Sequence, residues 1–123
     1  MAKRKAKPQT IKVALEKEAL NNTYEKAGTV TGQKVFFQIG KQSVAFLIHP
    51  PYEVENSPER VLTHWPTGAR IDSLTPVKLR LSRDGAARVT DRDAAKELIE
   101  ALIRHYTAEV LIERFASLPV INP

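Results

Sequence analysis

Alternating apolar and polar residues predict the clearest element of the chain, a β-hairpin between residues 33 and 49. The segment QKVFFQIGKQSVAFLIH holds two aromatic and β-branched runs around Gly40 and Lys41, a pattern typical of two strands joined by a tight turn. A two-residue Gly40–Lys41 loop sets four large apolar residues on one face, in the pairs Phe37–Val44 and Val35–Phe46. We expect that face to lie in the core. The opposite face is mixed and carries the pairs Lys34–Leu47, Phe36–Ala45 and Gln38–Ser43.

A second hairpin is predicted around the turn Pro66-Thr67-Gly68. Proline suits the second position of a type I turn, and glycine suits the left-handed position that follows it. The strands would be Val61–Trp65 and Ala69–Ile71. Alternation puts Val61, Thr63 and Trp65 on one face and Leu62 and His64 on the other.

A third hairpin is expected in residues 77–89, VKLRLSRDGAARV, because Val77, Leu79 and Leu81 alternate with polar residues. A two-residue Asp84–Gly85 loop would set Leu81 opposite Arg88 and mix the two faces. A three-residue loop, residues 83–85, sets Arg80 opposite Arg88 and keeps the faces separate. The second register therefore predicts an outward basic face that holds Lys78, Arg80 and Arg88 without an interleaved acid.

The C-terminal third is predicted to be helical. Thr90 or Asp91 can cap a helix whose apolar positions recur at helical spacing up to Tyr106, and a shorter helix after Thr107 must end at or before Leu118 because Pro119 blocks it. The strong helix formers of residues 10–20 also predict an N-terminal helix. A strand over residues 11–15 is the alternative, since Ile11, Val13 and Leu15 alternate.

These elements indicate an α+β fold in one domain, with an antiparallel sheet of two to three hairpins packed by the C-terminal helices. The length of 123 residues and the 42% hydrophobic composition fit a single globular domain. We divide the chain into a flexible basic arm, residues 1–9, and one α+β domain, residues 10–123.

Positive charge is concentrated rather than spread. The net charge is +5, and four of these charges belong to Lys3, Arg4, Lys5 and Lys7 at the N-terminus. A short basic arm can lie along phosphates and release counterions, although it can equally be a solubilising terminus. Residues 77–92 form a second basic region, with Lys78, Arg80, Arg83, Arg88 and Arg92 against Asp84 and Asp91.

Phe36 has two interpretations. Beside Lys34 it could act as a platform on which an unpaired base stacks, as in proteins that bind single strands. The alternative is a ring buried beneath a helix, where aromatic side chains usually lie.

Catalytic and metal-binding motifs are absent from the sequence. There is no cysteine, and the three histidines, His49, His64 and His105, have no metal-ligand spacing. The glycines form neither a Walker loop nor a dinucleotide fingerprint. The best site-like cluster is His64, Trp65 and Arg70 around the Pro66 turn, joined by His49, but a Trp beside a turn also caps a core.

We therefore expect a non-enzymatic, cytoplasmic binding protein without metal or cofactor. The leading hypothesis is contact with DNA or RNA through the arm, the predicted basic hairpin and the Phe36 face; its residues are Lys3, Arg4, Lys5, Lys7, Lys34, Phe36, Lys78, Arg80, Arg83 and Arg88. The alternative is a protein–protein interaction module, a homodimer or a regulator docked on a larger complex, by analogy with accessory proteins of phages and mobile elements. Its basis is apolar surface without an obvious cover, at Phe36, Ala45, Leu47, Leu118, Val120 and Ile121.

Overall fold

Five antiparallel strands form one sheet in the computed structural model, which describes residues 7–14, 27–54, 56–83, 85 and 88–123. The strands follow each other in chain order: β1 (Gln9–Ala14), β2 (Ala27–Ile39), β3 (Gln42–His49), β4 (Val61–His64) and β5 (Arg70–Ser73). Three helices come after the sheet: α1 (Thr75–Arg83), α2 (Asp91–Tyr106) and α3 (Ala108–Ala116). The expected single α+β domain is confirmed.

The central hairpin has the predicted register. Phe37 pairs with Val44 and Val35 with Phe46 across β2 and β3, and Gly40 has the positive φ that the tight turn needs. The second hairpin is also present, between β4 and β5, with a register irregularity between Leu62 and Thr63. In both cases the alternation of apolar and polar residues was sufficient to predict the hairpin, because a tight turn fixes which residues are paired.

The C-terminal helices begin and end where the sequence predicts. Thr90 is the N-cap of α2: its hydroxyl accepts from the Asp93 backbone N–H, and the Asp93 carboxylate accepts from that of Thr90. The hydroxyl of Thr107 caps α3 in the same way, by accepting from the Val110 backbone N–H. The helices cover one face of the sheet, with Ala94, Ala95 and Ile99 buried against it.

The prediction of an N-terminal helix over residues 10–20 is wrong for its first part, since residues 10–14 belong to β1. Residues 15–20 lie outside the described part of the chain. Ile11 and Val13 are both buried on one face of β1, so the alternation that supported the strand alternative outweighs the helix propensity of single residues.

The third hairpin is also wrong, because residues 75–83 form α1. Pro76 stands in the first turn of the helix, where its missing N–H costs nothing. Val77 is buried and Leu81 packs beside it one turn later, whereas Leu79 is exposed. An apolar alternation of only three residues contains an i, i+4 pair, and so it fits a helix as well as a strand.

The buried face of β2 changes along its length. Residues 28 and 30 are buried in its first half, and residues 35, 37 and 39 in its second half. Successive strand residues point to opposite faces, so the first half buries the side of the sheet away from the helices. There Val30 packs with Ile11, Val13 and Leu47 into a second apolar cluster.

Gly32 lies at the point where β2 changes its buried face. A Cβ atom on this residue would overlap the backbone carbonyl of Ile48 on β3, so only glycine allows the approach. The first half of β2, with β1, can therefore fold over the outer face of β3. As a result Phe46 to His49 are buried without interruption, and the four residues of β4 are buried as well.

Substitution Gly32→Ala should lower the free energy of unfolding by about 2–3 kcal/mol, because the added methyl must displace the β3 backbone. Chemical denaturation measures the effect. Gln33→Ala, at the exposed neighbouring position, is the control and should change stability by less than about 0.5 kcal/mol. Equal effects of the two substitutions would contradict the close approach.

Candidate nucleic-acid interface

Lys34, Phe36 and Trp65 meet on the outer face of the sheet, and we call them the aromatic platform. Phe36 on β2 pairs with Ala45 on β3, and the backbone N–H of Trp65 donates to the Ala45 carbonyl at 3.0 Å. Phe36, Ala45 and Trp65 thus form a row across β2, β3 and the end of β4. Lys34 is on the same face of β2, two residues from Phe36.

The Lys34 ammonium lies over both rings of the platform. Its Nζ is 4.1 Å from the centroid of Trp65 and 5.3 Å from that of Phe36, within the range of cation–π attraction. The Phe36 side chain is 51% exposed, whereas Trp65 is half-buried. The interpretation of Phe36 as a ring buried beneath a helix is therefore wrong: it lies on the face opposite the helices and is open to solvent.

The strands around the platform carry positive charge only. Residues 27–49 contain Lys34 and Lys41 and no acidic residue. Lys34 makes no ion pair with any residue that the structure describes. The platform therefore offers an open aromatic ring next to a cation that no carboxylate of the described residues neutralises.

The C-terminal segment holds the turn that carries Trp65. The backbone N–H groups of Ile121 and Asn122 donate to the Pro66 carbonyl at 2.8 and 3.0 Å. The Asn122 side chain extends this link: its amide donates to the carbonyls of Trp65 and Lys12, and its oxygen accepts from the Lys12 N–H, each at 2.8 Å. One side chain thus joins β1 to the turn between β4 and β5.

The predicted cluster of His64, Trp65 and Arg70 is not brought together. His64 points to the helix side, where its ring stacks on Phe115 at 3.9 Å and Nδ1 is hydrogen-bonded to the Thr67 hydroxyl at 2.7 Å. Trp65 points to the opposite face, because adjacent residues at a strand end alternate. Arg70 is exposed on β5, 4.0 Å from Asp72. The cluster thus divides between two faces of the sheet.

Both buried histidines are held neutral. Burial lowers the pKa of His64 to about 4. Burial also lowers the pKa of His49, the positive charge of Arg70 adds to this effect, and a hydrogen bond to the Pro50 carbonyl opposes it. Neither imidazole therefore contributes positive charge at neutral pH.

The basic face expected on residues 77–89 is wrong in its geometry, since α1 replaces the hairpin. Lys78 pairs with Asp91 at 2.9 Å, and Arg80 lies 3.7 Å from Glu97, both acids of α2. Arg83 and Arg88 are exposed and make no salt bridge with a described residue. An acidic helix thus partly neutralises the region in which an uncompensated basic strand face was expected.

Of the basic arm, only Lys7 and the residues after it are described; Lys3, Arg4 and Lys5 lie outside the described part of the chain. Gln9, which the sequence placed in the arm, is the first residue of β1 and pairs with Gly32. Gly32 is two residues from Lys34 along β2, a distance of roughly 7 Å. The arm therefore joins the sheet close to the platform.

The sequence did not reveal that Trp65 belongs with Lys34 and Phe36. The hairpin register shows the Phe36–Ala45 pair, but the next strand follows a connection of residues 50–60, and a long loop does not fix the register. Nor does any pattern indicate the role of Asn122, whose hydrogen bonds cross 110 and 57 residues of chain.

Within the described residues, no helix is long and apolar enough to cross a membrane. The same residues contain no group of three or more His, Asp or Glu side chains able to hold a metal ion. No protein-family model matches the chain, and it has no match among curated proteins or solved structures.

Substitution Asn122→Ala should lower the free energy of unfolding by about 1–3 kcal/mol, because it removes three side-chain hydrogen bonds and leaves the Lys12 backbone unpaired. Asn122→Asp keeps the acceptor for the Lys12 N–H but turns a carboxylate oxygen toward the Lys12 and Trp65 carbonyls, so it should cost at least as much. Chemical denaturation gives the values, and Trp fluorescence reports on the turn. If Asn122→Ala left both unchanged, the link between β1 and the turn would carry no stability.

Stability should fall between pH 6.5 and pH 4 because of His64. The unfolded chain protonates this residue near pH 6.5 and the folded chain only near pH 4, so the unfolded state binds more protons in that window. The contribution is complete above pH 6.5 and decreases by at most about 3 kcal/mol as the pH falls through the window. Urea denaturation at several pH values measures it.

His64→Phe should flatten the dependence of stability on pH, and the remaining slope should come from His49, whose pKa is also lowered. His105 is exposed on α2, so His105→Gln is the matched control and should keep the slope of the wild type. A wild-type protein equally stable at both ends of the window would refute the neutral, buried state of His64.

Proposed function

We propose that the protein is a non-enzymatic binding protein that holds single-stranded nucleic acid on the aromatic platform, with the basic arm as a second contact. The observation that carries the proposal is the exposed Phe36 ring, 51% accessible, with the Lys34 ammonium held beside it. An unpaired base can stack on such a ring, and the ammonium can neutralise the adjoining phosphate.

The position of Lys34 allows a base to stack on Phe36 while the ammonium contacts the adjoining phosphate. The ammonium lies closer to Trp65, at 4.1 Å, than to Phe36, at 5.3 Å, and the Phe36 side chain remains 51% exposed beside it. A preorganised cation loses less side-chain entropy when it meets a phosphate. Trp65 acts as the support of the lysine rather than as the stacking surface.

The arm adds affinity without sequence preference. It carries four positive charges and reaches the sheet at Gln9, next to Gly32 on β2. A strand stacked on Phe36 therefore passes within reach of the arm. Contacts of this kind position a nucleic acid and make its binding sensitive to salt.

A protein partner is the second candidate, since Phe36 and Val120 are large, exposed and apolar. The apolar surface is smaller than the sequence indicated, because Leu47 is completely buried under β1 and β2. The exposed Phe36 is accompanied by Lys34, and lysine is depleted in protein interfaces.

Binding of a labelled oligothymidylate and an oligouridylate to the full chain, followed by fluorescence anisotropy, tests the proposal. Phe36→Ala should weaken binding by about 5- to 100-fold, the effect of losing one base–aromatic stack. Leu79→Ala removes an apolar residue of similar exposure from α1 and should leave affinity unchanged. A second pair of variants removes the same charge at two places. Lys34→Gln, at the platform, should weaken binding more than Lys41→Gln at the hairpin turn.

The arm is tested by replacing Lys3, Arg4, Lys5 and Lys7 with Gln in the full chain. The slope of log affinity against log salt should become shallower by up to about 3, since each single-strand phosphate contact contributes about 0.7. Absence of binding at moderate salt, or equal affinities of Phe36→Ala and Leu79→Ala, would refute the platform as the binding site.

A further inference from the structure

A cavity of about 260 Å³ opens beside β4, on the outer face of the sheet. None of its lining residues belongs to the aromatic platform. Val13 of β1 and Val61 of β4 form apolar walls, and Pro51 and Tyr52 close it from the loop after β3.

The floor of the cavity is polar, but its polar groups are already hydrogen-bonded within the protein. His49 Nδ1 donates to the Pro50 carbonyl and Nε2 accepts from the Thr63 hydroxyl, both at 2.6 Å. Since the imidazole is neutral, these two bonds use both of its nitrogens. A ligand therefore meets ring and carbon surface there, and no free N–H. Such a surface favours a flat apolar group over a hydrogen-bonding one.

The rim carries one charge of each sign. The Arg70 side chain is 61% exposed, and its nearest acid among the described residues is Asp72 at 4.0 Å, too far for a close hydrogen-bonded pair. Its guanidinium thus keeps donors free for an anionic group. Glu59 also lines the rim, and its carboxylate can accept a hydrogen bond from a ring N–H.

We infer that this cavity binds a small planar heteroaromatic anion, with its ring between Val13, Val61 and Tyr52 and its carboxylate or phosphate toward Arg70. The volume lies just below the range of drug-sized pockets, so the ligand has one or two rings. The inference does not depend on nucleic-acid binding by the platform.

The test is an NMR titration of the ¹⁵N-labelled full chain with indole-3-carboxylate. For its twelve non-hydrogen atoms, ordinary ligand efficiency gives a Kd of about 2 mM or tighter. Amide signals of Val13, Val61 and Gly68, all at the cavity, should shift saturably. Indole-3-carboxamide has the same shape without the charge and should bind about three- to fivefold more weakly.

Arg70→Gln should weaken the binding of indole-3-carboxylate by the same factor and leave the binding of indole-3-carboxamide unaffected. Arg83→Gln removes an exposed arginine of α1 and is the matched control. Phe36→Ala should keep the cavity shifts, which separates this site from the platform. Uridine monophosphate in place of the carboxylate shows whether a phosphate is accepted. No saturable cavity shift with either anion, or equal affinity for carboxylate and carboxamide, would overturn the inference.

Discussion

The close approach of Gly32 to the β3 backbone is the contact on which the rest of the architecture depends. It lets β2 change its buried face in mid-strand, so that one half packs toward the helices and the other half folds back with β1. The second half of β3 and all of β4 are consequently buried on both faces, an arrangement more typical of sheets covered by helices on each side. Here a folded-over hairpin replaces the second layer of helices.

The same fold-over divides the outer face of the sheet into three zones. The apolar cluster of Ile11, Val13, Val30 and Leu47 occupies the middle. At one margin of this cluster Trp65 packs against it while Phe36 stays exposed, and at another margin Val13 lines the cavity beside His49. Both candidate sites are thus the margins of a single covering hairpin, and Asn122 fixes that hairpin to the Trp65 turn through hydrogen bonds to Lys12.

Sequence reasoning succeeded where the relevant partner was close along the chain. The Gly40 turn fixed the register of β2 and β3, and the Thr90 and Pro119 signals bounded the helices, because turns and caps act within a few residues. It failed for residues 77–83, where Val77 and Leu81 suit either period and Leu74 and α2 decide the outcome. The proposed cluster of His64 and Trp65 was also wrong, whereas the alternation that placed these two side chains on opposite faces agrees with the structure.

The sequence by itself determined the α+β class, the central hairpin, the C-terminal helices and the concentration of charge at the N-terminus, since each follows from short-range periodicity or composition. The tertiary structure decided which side chains share a surface: it paired Lys78 and Arg80 with acids of α2, joined Lys34 to Trp65, and covered Leu47. The physical reason is that the contacts of Lys34 and Leu47 depend on the bend at Gly32 and on a loop, residues 50–60, too long to set a register. Those of Lys78 and Arg80 depend on the packing of α1 against α2, which no short-range pattern specifies.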